Sequence, residues 1–272
     1  MSMAKVAVLL PVYKKDNPLF FELSLNSVLN QSYKDFFVLI GVDGPVVGEL
    51  ASKLNQFELD NRVKILYFTE NRGLACILND LISEAKSFGC EYYARMDADD
   101  ISLPNRFEAQ ISFLMNHEEV DVVGGKIEEI DSDGNKVGKF VDYPHTHDEC
   151  RKFFRYRDPL AHPAVMFRKT YFKKVSGYRP EYRTNQDTML WFDGFMNRCV
   201  FANLPEVVLE FRVSKDFYGR RNGWKRARQM LCSRMEINKA MKYDISANIF
   251  AMAMAGMIVS PTWLKKFLYR IR

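Results

Sequence analysis

The chain has 272 residues, 47% of them hydrophobic and 27% charged, with a formal net charge of +5. That balance excludes a disordered, collagenous or disulfide-framed chain, and the length suits one large domain with an appendage. The five cysteines (Cys76, Cys90, Cys150, Cys199 and Cys232) form no Cys-x-x-Cys pair, which argues for a reducing compartment and against structural zinc.

The charge is unevenly spread. Between Arg212 and Arg272 there are 14 Lys/Arg against 3 Asp/Glu, whereas the remainder holds 25 against 31. A basic tail on a neutral-to-acidic body points to an anionic partner, membrane lipid or nucleic acid, or to a solvated helical face. The opening Met-Ser-Met-Ala-Lys runs straight into a strand-like segment and shows no secretory signal.

In chain order, Val6–Tyr13 is a continuous apolar run, the mark of a parallel strand covered on both faces. Asn17-Pro18 supplies an N-cap and a first-turn proline for a helix whose stripe is Phe20, Phe21, Leu25, Val28 and Leu29. A second buried strand from Phe36 ends at Asp43-Gly44, and a helix over about 47–57 and a third strand, Val63–Phe68, follow. The turn Glu70-Asn71-Arg72-Gly73 precedes a helix over about 74–87. The fourth strand starts at Tyr92 and runs into Asp97-Ala98-Asp99-Asp100, three carboxylates within four positions.

This strand–helix alternation predicts a doubly wound α/β unit, in which ligands bind beyond the carboxyl ends of the strands. Tyr13, Asp43, Asn71–Gly73 and Asp97–Asp100 all fall at predicted strand ends and so share one rim. Carboxylates this crowded repel one another unless a cation sits among them. Alternation along an extended segment puts Asp97 and Asp99 on one side, a pattern suited to a divalent metal. The competing role for the cluster is to cap the next helix, which suits Asp100 or Ser102. Neither glycine-rich phosphate loop is present, so the phosphates of a bound nucleotide would be neutralised at the Asp cluster with its metal.

Beyond Pro104 a helix runs to about 117, and a strand begins at Val120 and continues through Lys126–Ile130. Asp131-Ser-Asp-Gly134 opens like a calcium loop but has Asp142 where a glutamate belongs, so a hairpin turn is expected. His145 and His147 have no acidic or thiol partner at ligand spacing and read as loop residues. Asp158–Pro163 leads into an apolar strand, Ala164–Phe167, and Thr184-Asn-Gln-Asp187 starts a helix bearing Met189, Leu190, Trp191 and Phe195. Asp187 there either complements the helix dipole or serves as a general base. A strand over Phe201–Arg212 closes the core, and a loop with Lys215, Arg220 and Arg221 leads to a basic helix over Trp224–Met241. The apolar stretch Ile245–Ser260 has 16 residues, too few for a spanning helix. Trp263 with Lys265, Lys266, Arg270 and Arg272 gives the aromatic-plus-basic pattern of an interfacial segment.

Pro11-Val-Tyr13, Asn30-Gln-Ser32, Val42-Asp-Gly44, Asn71-Arg-Gly73, Asp97-Ala-Asp99-Asp100 and Gln186-Asp187 occur in this order. Together they resemble the landmarks of family 2 inverting glycosyltransferases of the GT-A fold, the group that includes bacterial O-antigen and capsule enzymes. The resemblance covers roughly residues 5–215 and implies a doubly wound, mixed but mostly parallel sheet flanked by helices. It implies a catalytic domain over 1–215, with a nucleotide-binding half (1–104) and an acceptor half (105–215). A helical basic tail over 216–272 would then contact a membrane surface.

On this resemblance, Pro11, Tyr13, Asp43, Asn71 and Arg72 hold the nucleotide of a UDP-sugar, and Asp97 contacts its ribose or uridine. Asp99 resembles the carboxylate that ligates Mn2+ or Mg2+ on the diphosphate. Asp187 aligns with the second position of the family's Glu-Asp motif, the catalytic base, and Gln186 departs from the pattern by replacing the glutamate. Gln186, Trp191 and His162 are assigned to the acceptor side, His162 being equally readable as a structural residue before Pro163. A histidine that many relatives carry after the core is missing from 214–223, which leaves Arg212, Lys215, Arg220 and Arg221 as cations for the diphosphate.

The implied function is metal-dependent, inverting transfer of a hexose, Glc or Gal, from a UDP-sugar to an undecaprenyl-diphosphate-linked oligosaccharide in O-antigen or capsule synthesis. Its implied place is cytoplasmic, peripheral on the anionic inner face of the cytoplasmic membrane, with no nucleic-acid partner. A sugar nucleotidyltransferase, the alternative enzyme, would carry a glycine-rich signature near the first strand that is missing here. A non-enzymatic nucleic-acid-binding protein would use the basic tail and leave the rim carboxylates without a role.

Overall fold

A computed structural model describes residues 6–213 and 223–260. The first strand, β1 (Val6–Val12), is buried along nearly its whole length because parallel strands flank it on both sides. These are β2 (Phe36–Val42) and β4 (Tyr92–Arg95), and β3 (Val63–Tyr67) extends the sheet beyond β2, again in parallel. Helices α1 (Pro18–Leu29), α2 (Gly48–Phe57) and α3 (Leu74–Ser87) make the crossovers. Asn17 starts α1, its Oδ1 accepting the Leu19 and Phe20 N–H groups at 2.9 and 3.2 Å, while Pro18 sits where no N–H is needed. Alternation within β1 feeds two cores. Val6, Val8 and Leu10 pack with Phe21 and Leu25 of α1, and Ala7 and Leu9 pack with Ile77 and Leu81 of α3.

The second half changes direction. After β5 (Ile101–Ser102), α4 (Arg106–Asn116) leads to β6 (Val122–Ile130), β7 (Lys136–Val141), α5 (His147–Phe154) and β8 (Met166–Arg168). A single turn α6 (Tyr171–Lys174) and α7 (Gln186–Met196) then lead to β9 (Phe201–Arg212). The sheet order is β3-β2-β1-β4-β8-β6-β9-β5, with β7 on β6. The short β8 lies antiparallel between β4 and β6, Phe167 facing Tyr93 on one side and Val122 on the other. Strands β6 and β9 are parallel over their length, so the sheet is mixed and mostly parallel. Finally α8 (Trp224–Ala240) and α9 (Ile245–Val259) pack on each other.

Several local expectations are corrected. The aspartate cluster does not cap a helix: Asp100 is followed by β5, and α4 begins four residues later at Arg106 with no side-chain cap from Asn105. The strand expected from Ala164 starts at Met166, because Pro163 holds His162–Ala164 in a 3-10 turn. His145 and His147 flank Thr146, which caps α5 in a capping box with Glu149. The Asp131–Gly134 segment is the expected hairpin turn, with Gly134 at φ +87° and the Asp131 carboxylate accepting the N–H groups of Asp133 and Asn135. Among the described residues no helix is long and apolar enough to cross a membrane. The cations Lys215, Arg220 and Arg221 and the segment from Trp263 to Arg272 lie outside the described residues.

Candidate active site

At the carboxyl ends of β1–β4, residues Pro11, Tyr13, Asp43, Asn71, Asp97 and Asp99 line one cleft of about 520 Å³. Asp43 is the joint between β2 and the turn before α3. Its Oδ1 accepts the Arg72 N–H at 2.7 Å, and its Oδ2 accepts the Asn71 Nδ2 at 2.8 Å and the Gly73 N–H at 2.9 Å. Gly44 permits this approach: φ is +87°, and a Cβ there would stand 2.9 Å from the Asn71 nitrogen. Arg72 departs from expectation. Its guanidinium turns away to pair with Asp80 and lies 4.4 Å over the Phe68 ring, so only its backbone N–H reaches Asp43. Arg183 lines the cleft in its stead, its Nη1 donating to Asn71 Oδ1 at 3.4 Å.

The carboxylates of Asp97, Asp99 and Asp100 lie with ligand oxygens within 4.8 Å of one another. Asp97 pairs with the buried Arg95, and Ser24 Oγ donates to the Asp97 carbonyl at 2.7 Å. Asp100 is fully buried; Oδ1 accepts the Arg212 N–H at 2.8 Å and Oδ2 has no partner. Burial first, and then the charges of Asp99 and Asp97, push its carboxyl well above the usual carboxylate range. An all-oxygen donor set holding one orphaned buried oxygen fits a hard divalent cation such as Mg2+ or Mn2+.

Arg212 lines the cleft beside Arg183 and also clamps this loop. Its Nε donates to the Asp99 carbonyl at 2.8 Å, its Nη1 to the Asp131 carbonyl at 3.0 Å, and its guanidinium lies 4.3 Å over the Phe20 ring. Arg220 lies outside the described residues.

A second cavity, about 550 Å³, opens onto the cleft: Leu74, Asp97 and Phe211 line both. His162, Gln186 and Asp187 line it as well. Asn185 turns the chain into α7 through the left-handed region at φ 61°, a conformation asparagine tolerates. Gln186 and Asp187 thereby stand at the cavity mouth; Asp187 Oδ1 accepts the Thr188 N–H at 2.9 Å, and Gln186 Oε1 is buried without a partner. His162 Nε2 lies 2.7 Å from the Tyr178 hydroxyl. Burial and the nearby Arg95 charge pull the imidazole pKa well below 6.5, so it is neutral.

Trp191 is corrected. It is fully buried among Phe167, Phe195 and Phe201 and meets His162 edge-on from behind, so it supports the pocket and cannot touch an acceptor. Arg226, in the first turn of α8, was missed: it lines the same cleft as Asp97 and Asp99, half-buried, with the Asp187 charge nearby. In sequence it sits in a Trp-Lys-Arg-Ala-Arg run that reads as surface charge.

The family model "Glycosyl transferase family 2" matches residues 7–176. The chain is a family 2 glycosyltransferase. This glycosyltransferase is 29% identical, over 98% of its length and 95% of the relative's, to the UDP-Gal:alpha-D-GlcNAc-diphosphoundecaprenol beta-1,3-galactosyltransferase of Escherichia coli. It is 34% identical to the O-antigen biosynthesis glycosyltransferase WbnJ of Escherichia coli, over 76% of this chain and 79% of that one. Among solved structures, the mannosyltransferase PcManGT from Pyrobaculum calidifontis, in complex with GDP-Man and Mn2+, matches with a TM-score of 0.63 at 15% identity, over 98% of this chain and 79% of that one. S. aureus TarS 1-349 in complex with UDP matches with a TM-score of 0.60 at 18% identity, over 84% of this chain and 65% of that one. The mixed, mostly parallel sheet flanked by helices is that of the GT-A fold.

Proposed function

We propose that this glycosyltransferase moves a hexose from a UDP-sugar, with inversion, to a saccharide carried on a lipid diphosphate. It works at the inner face of the cytoplasmic membrane. The observation that carries this reading is the meeting of two cavities at Leu74, Asp97 and Phe211, with the carboxylate cluster in one and Asp187 in the other. An inverting displacement needs that separation, because the acceptor oxygen attacks the anomeric carbon from the face opposite the leaving diphosphate. The E. coli relative that uses UDP-Gal and a diphosphoundecaprenol-linked GlcNAc supports the donor and acceptor classes.

Residues 1–104 form the nucleotide half, in which Tyr13, Asp43 and Asn71 receive the base and Asp97 the ribose. Asp187 accepts the proton of the acceptor hydroxyl as its oxygen bonds to the anomeric carbon and the bond to UDP breaks. Gln186 Oε1, buried without a partner, offers an acceptor for a second sugar hydroxyl. Asp99, with Asp97 and Asp100 beside it, would hold Mn2+ or Mg2+; when bound, the cation neutralises charge developing on the leaving diphosphate. Arg183, Arg212 and Arg226 bring positive charge to the same cleft.

The test is a screen of UDP-Glc, UDP-Gal, UDP-GlcNAc and UDP-GalNAc against synthetic GlcNAc and GalNAc lipid diphosphates, with and without EDTA. One unsubstituted hexose should transfer with inverted anomeric configuration, and EDTA should abolish the reaction until Mn2+ or Mg2+ is restored. A product of retained configuration, or transfer that survives both EDTA and Asp99→Ala, would refute the reading.

A further inference from the structure

A third cavity, about 470 Å³, lies between the first turn of α7 and helices α8 and α9. It is continuous with the site already described: Asp187 also lines the acceptor cavity, and Arg226 also lines the donor cleft. Its volume falls within the range of small-molecule pockets, about 300–1,000 Å³.

The lining has two chemistries. Five arginines line it with two carboxylates, Asp158 and Asp187; Arg155 is paired with Asp244 at 3.1 Å and Arg234 with Asp158, which leaves Arg157, Arg183 and Arg226 facing Asp187. Asp158 is committed to Arg234 at 2.7 Å and to the Thr188 hydroxyl at 2.7 Å, so it offers little counter-charge. Arg157 makes no ion pair with any described residue. The opposite wall is apolar, from Met230 of α8 and Phe250 and Met254 of α9. Unbranched methionines mould to a flexible hydrocarbon. Helix α9 carries no charged side chain, and its outer stripe of Ile245, Ile249 and Met252 is 75%, 57% and 52% exposed. A chain leaving the cavity along α9 thus stays on apolar surface.

An occupant must therefore be anionic at one end, hydrocarbon at the other, and joined at the anionic end to a group that reaches Asp187. We propose that this cavity is the binding site for the diphosphate and first isoprene units of a polyprenyl-diphosphate-linked acceptor. Arg157 takes the diphosphate, and Met230, Phe250 and Met254 take the hydrocarbon. The inference rests on the lipid-diphosphate acceptor reading above and adds where that acceptor is held.

The test measures binding, not transfer. Farnesyl diphosphate is titrated calorimetrically into the full chain saturated with UDP, so that the donor cleft is filled. It should bind at least about tenfold more tightly than inorganic diphosphate, a difference of about 1.4 kcal/mol. Arg157→Glu and Met254→Glu should each weaken it at least about tenfold while leaving UDP affinity within about twofold, and Arg157→Lys should retain most of it. Both positions are only partly buried, so the variants are expected to fold, and the UDP titration reports whether they do. The proposal is overturned if UDP displaces farnesyl diphosphate, if both Glu variants bind it as the parent does, or if phosphatidylglycerol vesicles bind through Arg157 while farnesyl diphosphate does not. Farnesyl diphosphate binding in a protein that transfers no hexose would count against the proposed function and leave this site standing.

Discussion

The backbone N–H of Arg212 donates to the Asp100 carboxylate at 2.8 Å, so the last strand of the sheet grips the carboxylate cluster from behind. The side chain adds a second grip through its Nε on the Asp99 carbonyl. Arg212→Ala keeps the first contact and loses the second, together with the Nη1 bond to Asp131. Hydrogen bonds from charged donors contribute about 1.5–3 kcal/mol each, so losing two should cost about 3–6 kcal/mol in denaturant unfolding. Mn2+ affinity of the UDP complex should fall several-fold. Arg212→Lys should not restore it, since one ammonium cannot reproduce the fork.

His162 gives the protein an acid sensitivity with a defined sign. Burial and Arg95 keep the folded imidazole neutral below 6.5, whereas the unfolded chain takes up a proton there. The unfolded state therefore binds more protons as the pH falls, and stability that is complete above about pH 6.5 is lost below it. The slope attributable to this group approaches about 1.4 kcal/mol per pH unit. Unfolding free energies between pH 7 and 5 should fall more steeply for the parent than for His162→Gln; parallel slopes would mean that His162 is charged in the fold.

Trp191 is a core residue, and its variants should behave accordingly. Trp191→Ala should cost about 3–5 kcal/mol of stability, as large-to-small changes in packed cores do. Trp191→Phe should be far milder, because the indole Nε1 has no hydrogen-bond partner to lose. Acceptor KM measured on Trp191→Phe should stay within about twofold of the parent, a ratio corresponding to under about 0.5 kcal/mol.

What the sequence made legible was set by local rules. Apolar runs, continuous in β1 and β2 and broken by Lys64 in β3, marked these strands, and the polar residues beyond the strand ends placed Tyr13, Asp43, Asn71 and Asp97 on one rim. Long-range packing was not legible. The antiparallel β8 is three residues long, and only its two neighbours make it a strand. Arg72 and Arg183 exchanged parts because a guanidinium's direction depends on partners distant in sequence: Asp80 and Phe68 for one, Asn71 for the other. Trp191 lies on a helix whose one face is core and whose start is site, and a 3.6-residue period does not say which neighbour fills the contact. The cavity beside α9 depends on how two C-terminal helices dock, which no motif records.

The central claim is a division of labour, with the Asp97–Asp100 cluster holding the leaving group and Asp187 taking the proton. The measurement that tests it most directly is single-turnover transfer by Asp187→Asn, alongside its UDP affinity. The amide keeps the size and the hydrogen bond from the Thr188 N–H but cannot accept the proton. The account predicts UDP affinity within about twofold of the parent and transfer reduced by about 10²–10⁴-fold, the range general base catalysis supplies. Transfer by Asp187→Asn at a rate near the parent's would contradict it.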